Sequence, residues 1–326
     1  MTWVAWRQFR IQAVLAAAGL AVIAGVLAVT GPHLLALYRS DVVDCASSGT
    51  CNAGAFQNSY RGLQLLSYLL LALPGVIGAF WGAPLVAREL ESGTFRLAWT
   101  QGVTRSRWLV RKLGVLGLAT AATTGLVSLA LTWWSSPLDR VAMDRFQPGL
   151  FGARNIAPVG YALFGFALGV ALGVLLRRTI PAMFATLAGF AVTRLVFASW
   201  VDPHLWALKH AVHPITVAFN RGKGAGISVF FGGSPPGSWV ISGQTVNAAG
   251  QALSGGPLPA CMSHFGPANP PSGAAARACL AGYHQVISYQ PASRYWGYQW
   301  ADLAIFTGLA MVLAAASVWW VRRHPG

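Results

Sequence analysis

Six long apolar stretches constrain what this chain can fold into. They are Ala13 to Thr30, Leu63 to Val86, Leu113 to Trp134, Ala157 to Leu176, Ile180 to Trp200 and Leu303 to Val321. Only the fifth contains a formal charge, Arg194. A helix of about 20 apolar residues, rising about 1.5 Å per residue, crosses roughly 30 Å of hydrocarbon. No water reaches the backbone there, so each stretch must satisfy its own N–H and C=O groups as a helix. The expected fold is an all-α polytopic membrane protein with six transmembrane helices. The first stretch is too long for the apolar part of a usual signal peptide, so it is read as a retained helix.

Composition supports lipid as the solvent. Apolar residues make up 55% of the chain and charged residues 10%, against about 25% charged in an ordinary soluble domain. The net charge of +15 would suggest nucleic acid on a soluble chain, but here it follows topology, and no nucleic-acid partner is expected. With the amino terminus inside, the inner segments are 1–12, 87–112, 177–179 and 322–326. They hold Arg7, Arg10, Arg88, Arg96, Arg105, Arg107, Arg111, Lys112, Arg177, Arg178, Arg322 and Arg323. Basic residues are therefore roughly fourfold denser inside than outside, as the positive-inside rule requires. Both termini are expected in the cytoplasm of a cell-membrane protein.

The cysteines agree with that orientation. Cys45 and Cys51 fall in the first outer loop, Cys261 and Cys279 in the last, where an oxidising exterior permits disulfides. Pairing within each loop is the simplest arrangement, although four cysteines allow three connectivities.

The chain divides into a membrane part over 1–200 with spans one to five, an extracytoplasmic domain over 201–299, and a sixth span with tail over 300–326. Trp3, Trp6 and Phe9 recur every three residues beside Arg7 and Arg10. That pattern suits a short interfacial helix before the first span, or an ordinary aromatic and basic anchor. The 201–299 stretch is rich in Gly, Pro and Ser, with alternating apolar patches near 227–231 and 238–246, so little helix is expected there. His210 and His213 would share a face of a helix, although a solvated loop fits them better than a metal site.

The inner loop after the second span contains both Glu residues of the chain, Glu89 and Glu91. Ser92, Gly93 and Thr94 interrupt the preceding helix, and Thr94 and Thr104 are suitable N-caps. Phe95, Leu97 and Trp99 are apolar in a charged context. The expected product is a short amphipathic helix parallel to the membrane. At two positions' spacing, Glu89 and Glu91 point about 200° apart on a helix, which excludes a paired acid and base.

This loop resembles the Glu-x-Glu-x-Gly-Thr … Arg-x-x-Trp-x-x-x-Lys region of ABC-2 type transporter permeases. The stretch from Tyr289 to Trp296, with Gln299, is also similar to such permeases of high-GC bacteria. The resemblance implies the transmembrane half of an ATP-driven exporter, with the loop as a coupling helix docked on an ABC-type nucleotide-binding subunit. By that match, Arg88, Glu89, Glu91, Gly93, Thr94, Phe95, Arg96, Trp99, Arg105 and Arg107 form the ATPase-coupling surface. ATP and Mg would sit on the partner subunit, because this chain has no G-x-x-x-x-G-K-[ST] phosphate loop. A second permease copy or paralogue would complete a dimer, with a drug, lipid or similar lipophilic cargo. A non-transporting sensor or assembly factor, or a membrane-embedded enzyme, are the competing classes.

Arg194 is the one intramembrane charge. Such residues are functional candidates, yet its length lets it snorkel to the outer interface or pair with Asp202 or Asp302. Gly165, Gly169 and Gly173 form a small-residue ridge suited to close helix packing, within the subunit or across a dimer.

Overall fold

The computed structural model describes residues 2–40, 67–92, 104–136, 145–220, 226–230, 234–253, 259, 261 and 273–323. Six helices among them are long and apolar enough to cross a membrane: Ala17–Tyr38, Ser67–Glu91, Ser106–Trp134, Ala157–Leu176, Thr179–His204 and Ala292–Arg323. They are spans one to six below. The chain divides into a membrane unit (Met1–Met143, Gln147–Asp202, Trp296–Gly326) and a second unit (Asp144–Phe146, Pro203–Tyr295).

The fourth span has the bounds expected from its apolar run. Span one differs at both ends. Its helix is uninterrupted over Thr2–Tyr38 and contains Pro32. Residues 2–12, including Trp3, Trp6, Arg7 and Phe9, are helical and continuous with the helix that carries span one. Nothing in Arg10-Ile11-Gln12-Ala13 breaks a helix. At the other end Pro32 costs one backbone hydrogen bond, but Leu34, Leu35 and Leu37 carry the apolar character onward. Leu34 is fully buried, and Trp134 Nε1 donates to Thr30 Oγ1 at 2.9 Å, holding span one to span three.

Span four lies at the centre of the membrane unit. Two thirds of its apolar window (67%) is buried, against 11% for span one. The glycine ridge explains why. A methyl built on Gly165 would stand 2.6 Å from the Pro74 carbonyl oxygen, and one on Gly173 would stand 2.6 Å from that of Ala83. Gly169 faces the Gly78 carbonyl and the Ala83 nitrogen. The ridge thus packs inside the subunit, backbone to backbone, on span two. Span two answers with Gly78 and Gly82, which bound a π-helical turn and face the carbonyls of Gly165 and Phe166. Only small residues permit this approach.

Three apolar clusters fill the remaining contacts. Leu27, Leu70, Leu131 and Trp134 join spans one, two and three. Val86, Leu109, Phe166 and Val321 join spans two, three, four and six. Tyr161, Phe164, Phe190 and Phe306 join spans four, five and six.

The second unit is mainly β. Strands β1 (Lys209–Pro214), β4 (Trp239–Asn247) and β5 (Tyr283–Gln290) form an antiparallel sheet in the order β1-β5-β4. Strands β2 (Thr216–Asn220) and β3 (Gly226–Phe230) pair separately. The two alternating patches read from the sequence are strands β3 and β4. His210 and His213 lie on β1, not in a loop, and their odd spacing sends them to opposite faces of the sheet. Cys261 is disulfide-bonded to Cys279, at the end of the short helix Gly273–Leu280. Cys45 and Cys51 lie outside the described residues. Phe146 stacks on Trp239 at 5.7 Å and meets Tyr295 edge-on at 5.5 Å.

Candidate functional site

Two groups of polar residues mark opposite ends of the membrane unit. The first is at the arginine-rich end, where spans four and five are joined through Arg177 and Arg178. Arg177 adopts the left-handed conformation (φ 54°) and donates its N–H to the Gly173 carbonyl at 3.2 Å, closing span four.

Span two reaches this end as the helix Ala83–Ser92. Its two carboxylates leave the helix about 200° apart, so they meet different neighbours. Glu89 accepts from Lys112 Nζ of span three at 2.5 Å. Lys112 is 14% and Glu89 20% exposed, so the pair is largely screened from water. The same ammonium lies 4.3 Å from the centroid of the Trp108 ring, a cation–π contact. Glu91 Oε2 accepts from both the backbone N–H (3.1 Å) and the hydroxyl (2.8 Å) of Thr179. Thr179 is the first helical residue of span five, where N–H groups have no partner within the helix. Glu91 supplies that partner from another span, and its charge suits the positive end of the helix dipole.

The two Glu residues therefore tie span two to spans three and five. Neither Lys112 nor Thr179 stood out as a partner in the sequence, because they lie 23 and 88 residues away. Arg88 and Arg107 are exposed, and Arg105 opens the helix that becomes span three. Thr104 occupies the N-cap position but makes no side-chain capping bond. Its carbonyl accepts the Trp108 N–H at 3.0 Å. Gly93, Thr94, Phe95, Arg96 and Trp99 lie outside the described residues.

The second group is at the far end. Arg194 turns inward, not outward: its guanidinium lies 3.8 Å from the centroid of the Tyr161 ring and 5.5 Å from that of Phe306. Both rings are fully buried. The Tyr161 hydroxyl donates to Asp302 Oδ2. Asp202 is 5% exposed and Asp302 fully buried. Of the two acids named from the sequence, Asp302 is thus joined to Arg194 through Tyr161, the missed member of the cluster. One turn before Asp302, Gln299 fastens the start of span four. Its Oε1 accepts the Ala157 N–H at 2.9 Å and its Nε2 donates to the Phe151 carbonyl at 3.1 Å.

In the second unit, the similar stretch around Gln290 and Arg294 is a linked network. Arg294 donates to Gln290 Oε1 and to the Ala207 carbonyl, each at 2.6 Å. Gln290 Nε2 donates to the Trp206 carbonyl at 2.9 Å.

Six apolar helices, two of them packed through a glycine seam, with charged ties where the spans end, define a multi-pass membrane protein. A family described as "ABC-2 membrane transporter related" matches residues 17–202, which is more than half of the 326 residues. The chain belongs to that family. Comparisons with curated proteins and with solved structures gave no match.

Proposed function

We propose that this chain is the permease subunit of an ATP-driven ABC exporter, working with a separate ABC-type nucleotide-binding subunit that carries ATP and Mg. The observation that carries the reading is the pair of Glu ties in a chain of this family. They make the segment between spans two and three a handle on three helices at once. The partner would dock on residues 88–107, with Gly93, Thr94, Phe95 and Trp99 at its face and Arg96, Arg105 and Arg107 as its basic rim. A push there moves span two and, through Lys112 and Thr179, spans three and five. ATP binding in the partner then biases a two-state bundle.

The same reading puts both termini and the arginine-rich end in the cytoplasm, by the positive-inside rule, and the disulfide-bonded second unit outside. Six spans would pair with a second copy or a paralogue. Lipophilic cargo suits an apolar bundle. Co-purification with a soluble ATPase, and ATPase stimulation by lipophilic compounds in the reconstituted complex, test the proposal. An ATPase that binds but is never stimulated by cargo would support the non-transporting sensor instead.

A further inference from the structure

The arginine-rich end of the membrane unit carries more positive charge than its own acids offset. Val86, Leu109, Val174 and Val321 share one buried cluster, which sets the ends of spans two, three, four and six at one level. The two described carboxylates at that level are engaged, Glu89 by Lys112 and Glu91 by Thr179. Arg111, Arg178, Arg322 and Arg323 are exposed and form no ion pair among the described residues.

Apolar surface begins directly beside these arginines. On span three, Leu118 lies two turns beyond Arg111 on the same helix face and is exposed. On span five, Ile180 and Phe184 are exposed within two turns of Arg178. On span six, Trp319 and Val312 lie one and three turns before Arg323 on one face, both exposed. The Arg323 guanidinium stands 4.7 Å from the centroid of the Trp319 ring, so a cation–π contact holds the charge at the edge of the apolar strip.

This sequence of surfaces selects its occupant. An acidic soluble protein or a free phosphate would answer the arginines and leave the apolar strips bare. A neutral lipid would cover the strips and leave the arginines without counter-charge. A molecule with an anionic head and apolar chains answers both. The guanidinium fork also matches phosphate oxygens in a two-pronged way.

We propose that anionic phospholipids of the surrounding bilayer bind at the arginine-rich end. Their phosphates lie on Arg111, Arg178, Arg322 and Arg323, and their acyl chains run along the exposed faces of spans three, five and six. None of these arginines belongs to residues 88–107, so the inference stands or falls apart from the ATPase partner proposed above.

Native mass spectrometry of the full-length protein, released from nanodiscs of equal phosphatidylglycerol and phosphatidylcholine, tests the inference. The wild type should retain phosphatidylglycerol over phosphatidylcholine by about tenfold. The Arg111→Gln/Arg322→Gln/Arg323→Gln variant should lower that ratio by about fivefold or more. The Arg322→Gln/Arg323→Gln pair should give a smaller fall, and replacing the same three residues by Lys should keep most of the preference. These are surface changes, so the thermal midpoints in phosphatidylcholine alone should agree within about 2 °C. Equal retention of both lipids by the wild type would overturn the inference, as would an undiminished ratio in the Gln variants. Displacement of phosphatidylglycerol by millimolar inorganic phosphate would overturn it in favour of a soluble-anion site.

Discussion

The two ends of the membrane unit are held by different chemistry. At the far end Arg194, Tyr161 and Asp302 form one cluster shared by three spans, with Tyr161 and Asp302 wholly buried. At the arginine-rich end the ties are separate and partly wet. Glu89–Lys112 is largely screened, whereas Glu91 meets Thr179 in an exposed setting. Buried networks fail as a unit and at high cost, because removing one member leaves others unsatisfied. Exposed single ties break and re-form cheaply. In the proposed exporter this contrast makes the far end the fixed point and the arginine-rich end the adjustable one, where a partner acts at least expense.

Substitutions sharpen the contrast. The largest effect is expected between the ends, in the seam that makes spans two and four one body. Gly169→Val drives a branched side chain into the Gly78 carbonyl and the Ala83 nitrogen. Backbone atoms cannot rotate away, so the loss should exceed the ~1–3 kcal/mol of ordinary overpacking. Detergent size-exclusion should then show little monodisperse protein. Next comes the far end, where Asp302→Ala takes the acceptor from the buried Tyr161 hydroxyl and should lose about 3–5 kcal/mol, as when a buried charged pair loses one partner.

Glu89→Gln should cost about 1–2 kcal/mol, because it leaves the largely screened Lys112 ammonium with a neutral acceptor in place of its counter-charge. It should be visible as a small fall in the thermal midpoint. Glu91→Gln sits at the bottom of the order. It should leave that midpoint unchanged while reducing cargo-stimulated ATPase activity of the complex. Equal losses of stability from Glu91→Gln and Asp302→Ala would erase the difference between the ends.

Much of the membrane unit was legible in the chain. Span four carries no charge from Ala157 to Leu176, and Pro158 suits the first turn of its helix, so its bounds follow from composition. Span one was less legible, because Pro32 reads as a stop while tertiary packing of Leu34 and Trp134 carries the helix past it. The glycine ridge was visible, but its partner was not. Gly78 and Gly82 face it only because of a π-turn, which has no simple sequence signature. Arg194 and its two candidate acids were named from their depth in the chain. Tyr161 was not, since a Tyr in an apolar span looks like any other core aromatic until Asp302, 141 residues away, is folded against it. The strands of the second unit were legible only as apolar patches, because alternation marks a strand but not its pairing.

The central claim is that the segment between spans two and three faces the cytoplasm and meets the ATPase there. A single reactive cysteine at Thr94, probed with a membrane-impermeant maleimide, tests it directly. The expected result is no labelling in intact cells, ready labelling in inverted vesicles stripped of the ATPase, and protection when the ATPase is added back. Labelling from outside intact cells, or reactivity in inverted vesicles that the ATPase leaves unchanged, would contradict the account.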